Sequence, residues 1–287
     1  MIGISIAAKK EWEAALKLKR MNISIENCSK FPFGEYFKYN LYGEDVVFYR
    51  CGVRKMNCSA STQYMIDHFG LSKIIVAGTC AGIDDTYKNL DIFFPNKLVQ
   101  YDCTVKETES LIKDSFTIAI DINDSRLNTG TLGTADKPVV MWKDYLELKD
   151  NNITIADTES AAIAYICKAN NVECVIIKGI SDFPTNENET TKEESHEGQL
   201  NTFLTNIPII MNNIVDNYLE IVLSLEDAEF CRDVIKTHMG PWNKDYNGEE
   251  VLEKPHTKYQ NFVHMCDYLA SRKVLNVEFD KDNNIID

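Results

Sequence analysis

The stretch Ile153 to Asp182, ITIADTESAAIAYICKANNVECVIIKGISD, constrains the architecture more than any other part of the chain. Ile153 to Ala156 is a short β-rich run, and Glu159 to Cys167 follows with small and apolar residues at helical spacing. Val172 to Ile180 is a second, nearly continuous apolar run rich in Val and Ile. A strand, a helix and a strand within about thirty residues imply a parallel crossover between neighbouring strands of an α/β sheet. Ligands of such sheets lie at the carboxyl ends of strands, so Glu159 and Asp182 are expected to face one crevice. Each acid alone also suits a structural role, Glu159 as a first-turn residue favoured by the helix dipole and Asp182 as a turn former. The two together, at adjacent strand ends, point to a site.

The segments Ala156-Asp157-Thr158-Glu159-Ser160-Ala161-Ala162 and Gly179-Ile180-Ser181-Asp182 resemble the paired signature of the nucleoside phosphorylase superfamily. They are most similar to its methylthioadenosine/S-adenosylhomocysteine nucleosidase branch. The resemblance implies a three-layer αβα fold with a central mixed twisted sheet. It also implies that Glu159 binds the ribose hydroxyls and that Asp182 hands a proton to N7 of an adenine leaving group. Thr158 stands where the branch usually carries a Met that packs on sugar and base, and Asp157 where it usually carries Glu; Thr158 is read as a substrate contact.

Length and charge bound the rest. The chain has 287 residues, enough for one large α/β domain or for a domain plus an appendage. We expect a catalytic domain over residues 1–224 and a helical extension over 225–287, where the resemblance has ended. With 30 basic and 44 acidic side chains the formal charge is -14, which disfavours nucleic acid as a partner. The nine cysteines are scattered without CxxC spacing, which suggests reduced, buried thiols in the cytosol and disfavours metal ligation. No apolar run is long enough to span a bilayer, so no membrane role is expected. No cofactor is implied.

Met1 to Ala8 reads as a buried first strand, followed directly by the helix-forming Lys9-Lys10-Glu11-Trp12-Glu13-Ala14-Ala15-Leu16. By residue pattern Glu11 is a solvated first-turn residue. By resemblance it aligns with the glutamate that activates the attacking water in the nucleosidases, with Lys9 and Lys10 replacing the usual neighbours. Two lysines beside it would hold its pKa down unless they point to solvent.

Tyr36 to Tyr42 and Asp45 to Arg50 read as a hairpin leading into Cys51-Gly52-Val53-Arg54-Lys55-Met56 and a helix to about His68. The family carries Gly-Ile-Gly-Lys here, so Val53 takes the place of the residue on the substrate's 5′ side. Arg54 replaces a glycine; its fork either approaches an anionic substrate group or makes a salt bridge on the acidic surface. Lys73 to Ile83 is a buried strand running into the small-residue turn Gly78-Thr79-Cys80-Ala81-Gly82. Small residues let main-chain atoms approach a ligand, and the resemblance makes Thr79 and Ala81 pocket-lining residues.

Gly130 to Val140 reads as a strand bending at Pro138; by resemblance Val139 or Val140 supplies main-chain hydrogen bonds to the base, with no aromatic at the usual stacking position. Lys178, where relatives often carry Arg, is expected to orient Asp182. Residues 185–199 read as a polar loop, either a lid or disordered, and an apolar-faced helix from about Gly198 closes the core, with Leu200 near a position that covers the 5′ substituent. Two helices are expected in the extension, Leu225 to Met239 and Lys258 to Arg272, with fraying after Asp280; the extension covers a subunit face or binds a partner.

The combined expectation is hydrolysis of the N-ribosidic bond of an adenine nucleoside by a cytosolic homodimer. Glu11 is the general base, Asp182 the acid and Glu159 the sugar ligand. Phosphorolysis, with Arg54 binding phosphate, and nucleoside sensing without catalysis are the alternatives.

Overall fold

The computed structural model describes residues 1–102, 127–139, 141–184, 192–223, 233–235, 237, 254–271, 278–279 and 285–286. The chain divides into two compact units, Met1–Val222 and Leu223–Asp287.

The first unit is a mixed sheet covered by helices, an α/β fold. Strand β1 (Ile2–Ile6) is buried at four of its five positions, as suits the interior of a sheet covered on both faces. It lies parallel between β4 (Glu44–Arg50) and β5 (Lys73–Gly82). Strand β2 (Ser29–Phe31) pairs with β3 (Gly34–Leu41), and β3 turns into β4 at Tyr42 and Gly43. Both turn residues are left-handed, φ 55° and 90°, the hairpin geometry that matches strand twist.

β5 is the spine of the sheet, with nine of its ten residues buried. Along one edge runs β10 (Glu173–Asp182), parallel, from Glu173 opposite Lys73 to Asp182 opposite Ala81. Along the other edge β1 takes the first half and β9 (Ile155–Asp157) the end, where Ala156 lies opposite Ala81. Beyond β9 come β8 (Thr131–Thr134) and β7 (Lys97–Gln100), and β6 (Ile92–Phe93) pairs with β10.

This order corrects the expected parallel crossover. β9 and β10 are not neighbours: β5 separates them, and β9 runs antiparallel to it while β10 runs parallel. A three-residue strand has too few ladder bonds to settle its own place, and here it is set by pairing in parallel with β8. The two carboxyl ends nevertheless meet over the last residues of β5.

Helices α2 (Lys55–Phe69) and α4 (Ser160–Ala169) pack together. Their Cys58, Met65, Ile163 and Cys167 share a core with Val47, Ile74, Val76, Ile176 and Ile180 of the sheet. Helix α1 (Lys9–Leu16) packs against α5 (Lys192–Asn213), which brings Ile207, Ile210 and Met211 to the sheet and continues through a π-helical turn, Ile214–Tyr218, into α6 (Leu219–Leu223). Between β8 and β9, α3 (Trp142–Asp150) buries Tyr145 and Leu148. α5 starts at Lys192 rather than near Gly198, so His196 stands in a helix and not in a polar loop. Lys192-Glu193-Glu194 has good helix propensity with acids at the positive end of the dipole, but no apolar residue to betray it. Residues 185–191 lie outside the described residues.

In the second unit, residues 233–235 and α7 (Lys258–Ser271) are helical, and Gln260 joins them, donating to the carbonyl of Asp233 at 3.1 Å. The expected helix Leu225 to Met239 falls largely outside the described residues. Where fraying after Asp280 was expected, Glu278–Phe279 pairs antiparallel with Ile285–Ile286.

Candidate active site

A cavity of about 370 Å³ opens at the carboxyl ends of β1, β5, β9 and β10, and Glu11, Glu159 and Asp182 all line it. Glu11 sits in the first turn of α1 but is only 3% exposed, which overturns the solvated reading from residue pattern. Its Oε2 accepts from the main-chain N–H of Ala8 at 2.9 Å, and its Oε1 accepts from both the N–H and the hydroxyl of Thr79 at 2.6 Å. Gly78 makes this approach possible, since a Cβ there would stand 2.9 Å from Oε1. Lys9 and Lys10 reach Glu13 at the surface and leave Glu11 alone.

Glu159 is the N-cap of α4 and is also buried. Its Oε1 accepts from the main-chain N–H of Arg54 at 2.8 Å and from the hydroxyl of Thr158. Asp157, two residues earlier, caps the same helix: its carboxylate accepts from the N–H groups of Glu159 and Ser160, from the Ser160 hydroxyl, and from Thr134 Oγ1 at 2.7 Å. The charge of Asp157 is met by Lys178 Nζ at 3.0 Å, with both side chains 2% exposed. Burial opposes the Lys178 charge, yet Asp157, Glu159 and Glu11 outweigh it and hold the ammonium above its ordinary range. Burial, and then the like charge of Asp157, push Glu159 up to about 7.

Asp182 ends β10. Burial raises its carboxyl, while donors from Ser181 Oγ at 2.6 Å and Gln199 Nε2 at 2.7 Å pull the other way; the net direction is upward. An upward direction is the one a general acid requires.

The walls hold most of the other sequence candidates. Thr79, Ala81, Val53, Val139, Thr158 and Leu200 line the cavity, with Val53 and Leu200 half-exposed. Two candidates are placed otherwise. Arg54 is exposed, does not line the cavity and forms no ion pair among the described residues; it contributes its main-chain N–H, whose direction is independent of side-chain type. Lys178 does not orient Asp182: its side chain turns to Asp157, the acid whose carboxylate it can reach in the core. Val140 lies outside the described residues. The carbonyl of Val139 is occupied by Gln199 Nε2 at 3.1 Å.

On α5, two lining residues escape the sequence reading, Gln199 and Phe203. Steps of four from Ile207 back through Phe203 to Gln199 place all three on one side of α5. That spacing is the available signal, and it escapes because the apolar face of the helix from about Gly198 reads as closing the core. Phe203 gives the cavity the aromatic ring that the segment around Val139 lacks.

Among the described residues, no Lys or Arg lines the cavity and no group of His, Cys, Asp and Glu is arranged to hold a metal. No described helix is long and apolar enough to cross a membrane.

A family model described as the phosphorylase superfamily matches residues 2–216. Similar curated proteins include a 5′-methylthioadenosine/S-adenosylhomocysteine nucleosidase from Geobacillus sp., 26% identical over 197 residues, 61% of this chain and 82% of that one. Another of the same name, from Staphylococcus saprophyticus, is 25% identical over 240 residues, 77% of this chain and all of that one. Among solved structures, futalosine hydrolase of Helicobacter pylori superposes with TM-score 0.60 at 16% identity, covering 78% of this chain and 97% of that one. The Helicobacter pylori 5′-methylthioadenosine/S-adenosylhomocysteine nucleosidase gives 0.59 at 15% identity, with 79% and 97% covered. With three quarters of its length matched by the family model and the same fold in the solved relatives, the chain belongs to the phosphorylase superfamily.

Proposed function

We propose that the protein hydrolyses the N-ribosidic bond of an adenine nucleoside, such as methylthioadenosine or S-adenosylhomocysteine, and releases adenine. One observation carries the reading: acidic side chains from three separate parts of the chain, Glu11, Glu159 and Asp182, border one cavity whose described lining holds no cation. Departure of the purine places positive charge on the sugar and negative charge on the base. Asp182 gives a proton to N7 as the C1′–N9 bond breaks and its electron pair moves onto the purine. Glu159 accepts hydrogen bonds from the ribose hydroxyls, and Glu11 takes a proton from the water that bonds to C1′. Adenine and the free sugar are the products, and the proton on Glu11 returns Asp182 to its acid form through solvent.

Water is favoured over phosphate as the nucleophile by charge. A phosphate would enter a cavity bordered by carboxylates with no described Lys or Arg to receive it, Arg54 being outside and Lys178 engaged by Asp157. The names of the curated relatives support the same reading. With it go a nucleoside as small-molecule partner, a catalytic domain over residues 1–224, a homodimer, and the cytosol as compartment. The test is incubation with a panel of nucleosides with and without phosphate, detecting free base. Base release that needs no phosphate is expected; strict dependence on phosphate would replace the hydrolase with a phosphorylase, and binding without release would leave a nucleoside sensor.

A further inference from the structure

We propose that Asp136 is a positioning residue for Glu159: by fixing the first residue of α2 it holds the main-chain N–H of Arg54 on the Glu159 carboxylate. The inference rests on the reading of Glu159 as the sugar ligand. Asp136 does not itself line the cavity and acts through the backbone of its neighbours.

Arg54 joins two peptide planes, and its φ of 73° and ψ of 159° set how they meet. The plane before it is held at both ends. The carbonyl of Val53 accepts from Asn57 Nδ2 at 2.9 Å, and the N–H of Arg54 donates to Glu159 Oε1 at 2.8 Å. In the plane after it, the carbonyl of Arg54 accepts from the N–H of Cys58 at 3.2 Å, and the N–H of Lys55 donates to Oδ1 of Asp136 at 2.9 Å. The Cys58 bond travels with α2, whereas Asp136 ties this plane to a separate part of the chain, just beyond β8. A residue with a Cβ keeps such a backbone conformation only where its surroundings over-determine it.

Asp136 is itself held. Its N–H donates to Oδ2 of Asp102 at 2.8 Å, while Lys55 Nζ reaches both carboxylate oxygens of Asp102, at 2.7 and 2.8 Å, and Oδ2 of Asp136 at 3.8 Å. The ammonium offsets the repulsion between the two acids. The turn that carries Val53 is thereby tied to the segment that brings Pro138 and Val139 into the cavity wall.

An N–H donated to a carboxylate favours its charged form. Burial and then Asp157 push Glu159 up to about 7, against the pull of Lys178, the Thr158 hydroxyl and the Arg54 N–H. The thiols of Cys51 and Cys58 also feel Glu159, and burial pushes both up so that they stay neutral; Glu11 and Asp182 border the same cavity. Releasing Arg54 raises the Glu159 carboxyl further, away from the ionised form that accepts from ribose hydroxyls.

Carboxyl-carbon NMR of the full-length protein, with the Glu159 signal identified by its loss in Glu159→Gln, reads this titration without substrate. Asp136→Ala is expected to raise the Glu159 midpoint by on the order of one pH unit, and Asp136→Asn, which keeps an oxygen for the Lys55 N–H, to leave it within about 0.3 of a unit. Removing the Asp136 charge alone takes away a like charge and acts in the opposite direction, and loss of a helix cap alone lowers stability without moving the midpoint. A midpoint that stays or falls in Asp136→Ala, or that Asp136→Asn raises as far, would overturn the proposal. Rates of base release against pH in the same proteins keep the two readings apart, the acid limb moving up with the midpoint in Asp136→Ala. A raised midpoint without base release from any of them removes the hydrolase and leaves Asp136 its role, whereas base release with an unmoved midpoint removes that role and leaves the hydrolase.

Discussion

The main-chain N–H of Arg54 donates to Oε1 of Glu159 across 2.8 Å, joining positions 105 residues apart. Arg54 holds this N–H in place at φ 73° and ψ 159°, a conformation that residues with a Cβ rarely adopt. A glycine would adopt it without strain. The side chain itself points away from the cavity, so the strain is the cost of presenting the N–H, and the Arg identity adds nothing to that hydrogen bond.

Arg54→Gly should accordingly stabilise the protein by about 1 kcal/mol and raise Tm by about 2–4 °C. Turnover should stay unchanged. Thermal melts and initial rates check both halves, and a lowered Tm would show that the Arg54 side chain contributes more than the strain removes.

Lys178 and Asp157 form an ion pair that neither partner can leave without stranding the other. Lys178→Met should destabilise by about 3–5 kcal/mol, because an uncompensated carboxylate is left in the core. Adding Asp157→Asn should restore most of that loss. Urea denaturation of the two single variants and the double variant measures the coupling; simple additivity would mean the pair is not the source of the effect.

Glu11→Gln and Asp182→Asn should each lower turnover by on the order of a hundredfold or more while the fold is retained. Circular dichroism and rates of base release test this. Undiminished rates in both variants would refute the assignment of base and acid.

Stability should also depend on pH through Glu159. Burial and Asp157 hold its carboxyl at about 7, above the value of about 4.3 for an unfolded chain. The folded form therefore binds this proton more tightly, and the resulting stabilisation is complete below about pH 4.3 and lost as the pH rises to about 7. Glu159→Gln keeps an oxygen for the Arg54 N–H and escapes the loss. It should be more stable than the wild type at pH 8, by at most about 4 kcal/mol, and equal to it near pH 4. Denaturation curves at the two pH values decide; a difference that does not vary with pH would contradict this origin.

Much of the site was legible because its acids stand in short, strongly patterned segments. The apolar run of β10 ending in Asp182 and the small residues after Glu159 announce strand ends by local composition alone. Strand partners are not local, so the insertion of β5 between β9 and β10 left no trace in either run. Lys178 was misread for a related reason: its nearest acid in sequence is Asp182, while its partner in space arrives from β9. Gln199 was hidden by a polar stretch whose helical character depends on its acids rather than on an apolar stripe. Arg54 drew attention as a cation, when what the site uses is an N–H that any residue but proline possesses.

β5 sets the reference frame for all of these groups. Thr79 fastens Glu11, and Ala81 has Asp182 across from it on one flank and Ala156, next to Asp157, on the other. Glu11 and Asp182 cannot wander independently, because both are moored to the same ribbon in the interior. Warming should therefore leave the spacing of the carboxylates intact until the ribbon itself comes apart, so that activity persists nearly level and then disappears within the same narrow interval as the native structure.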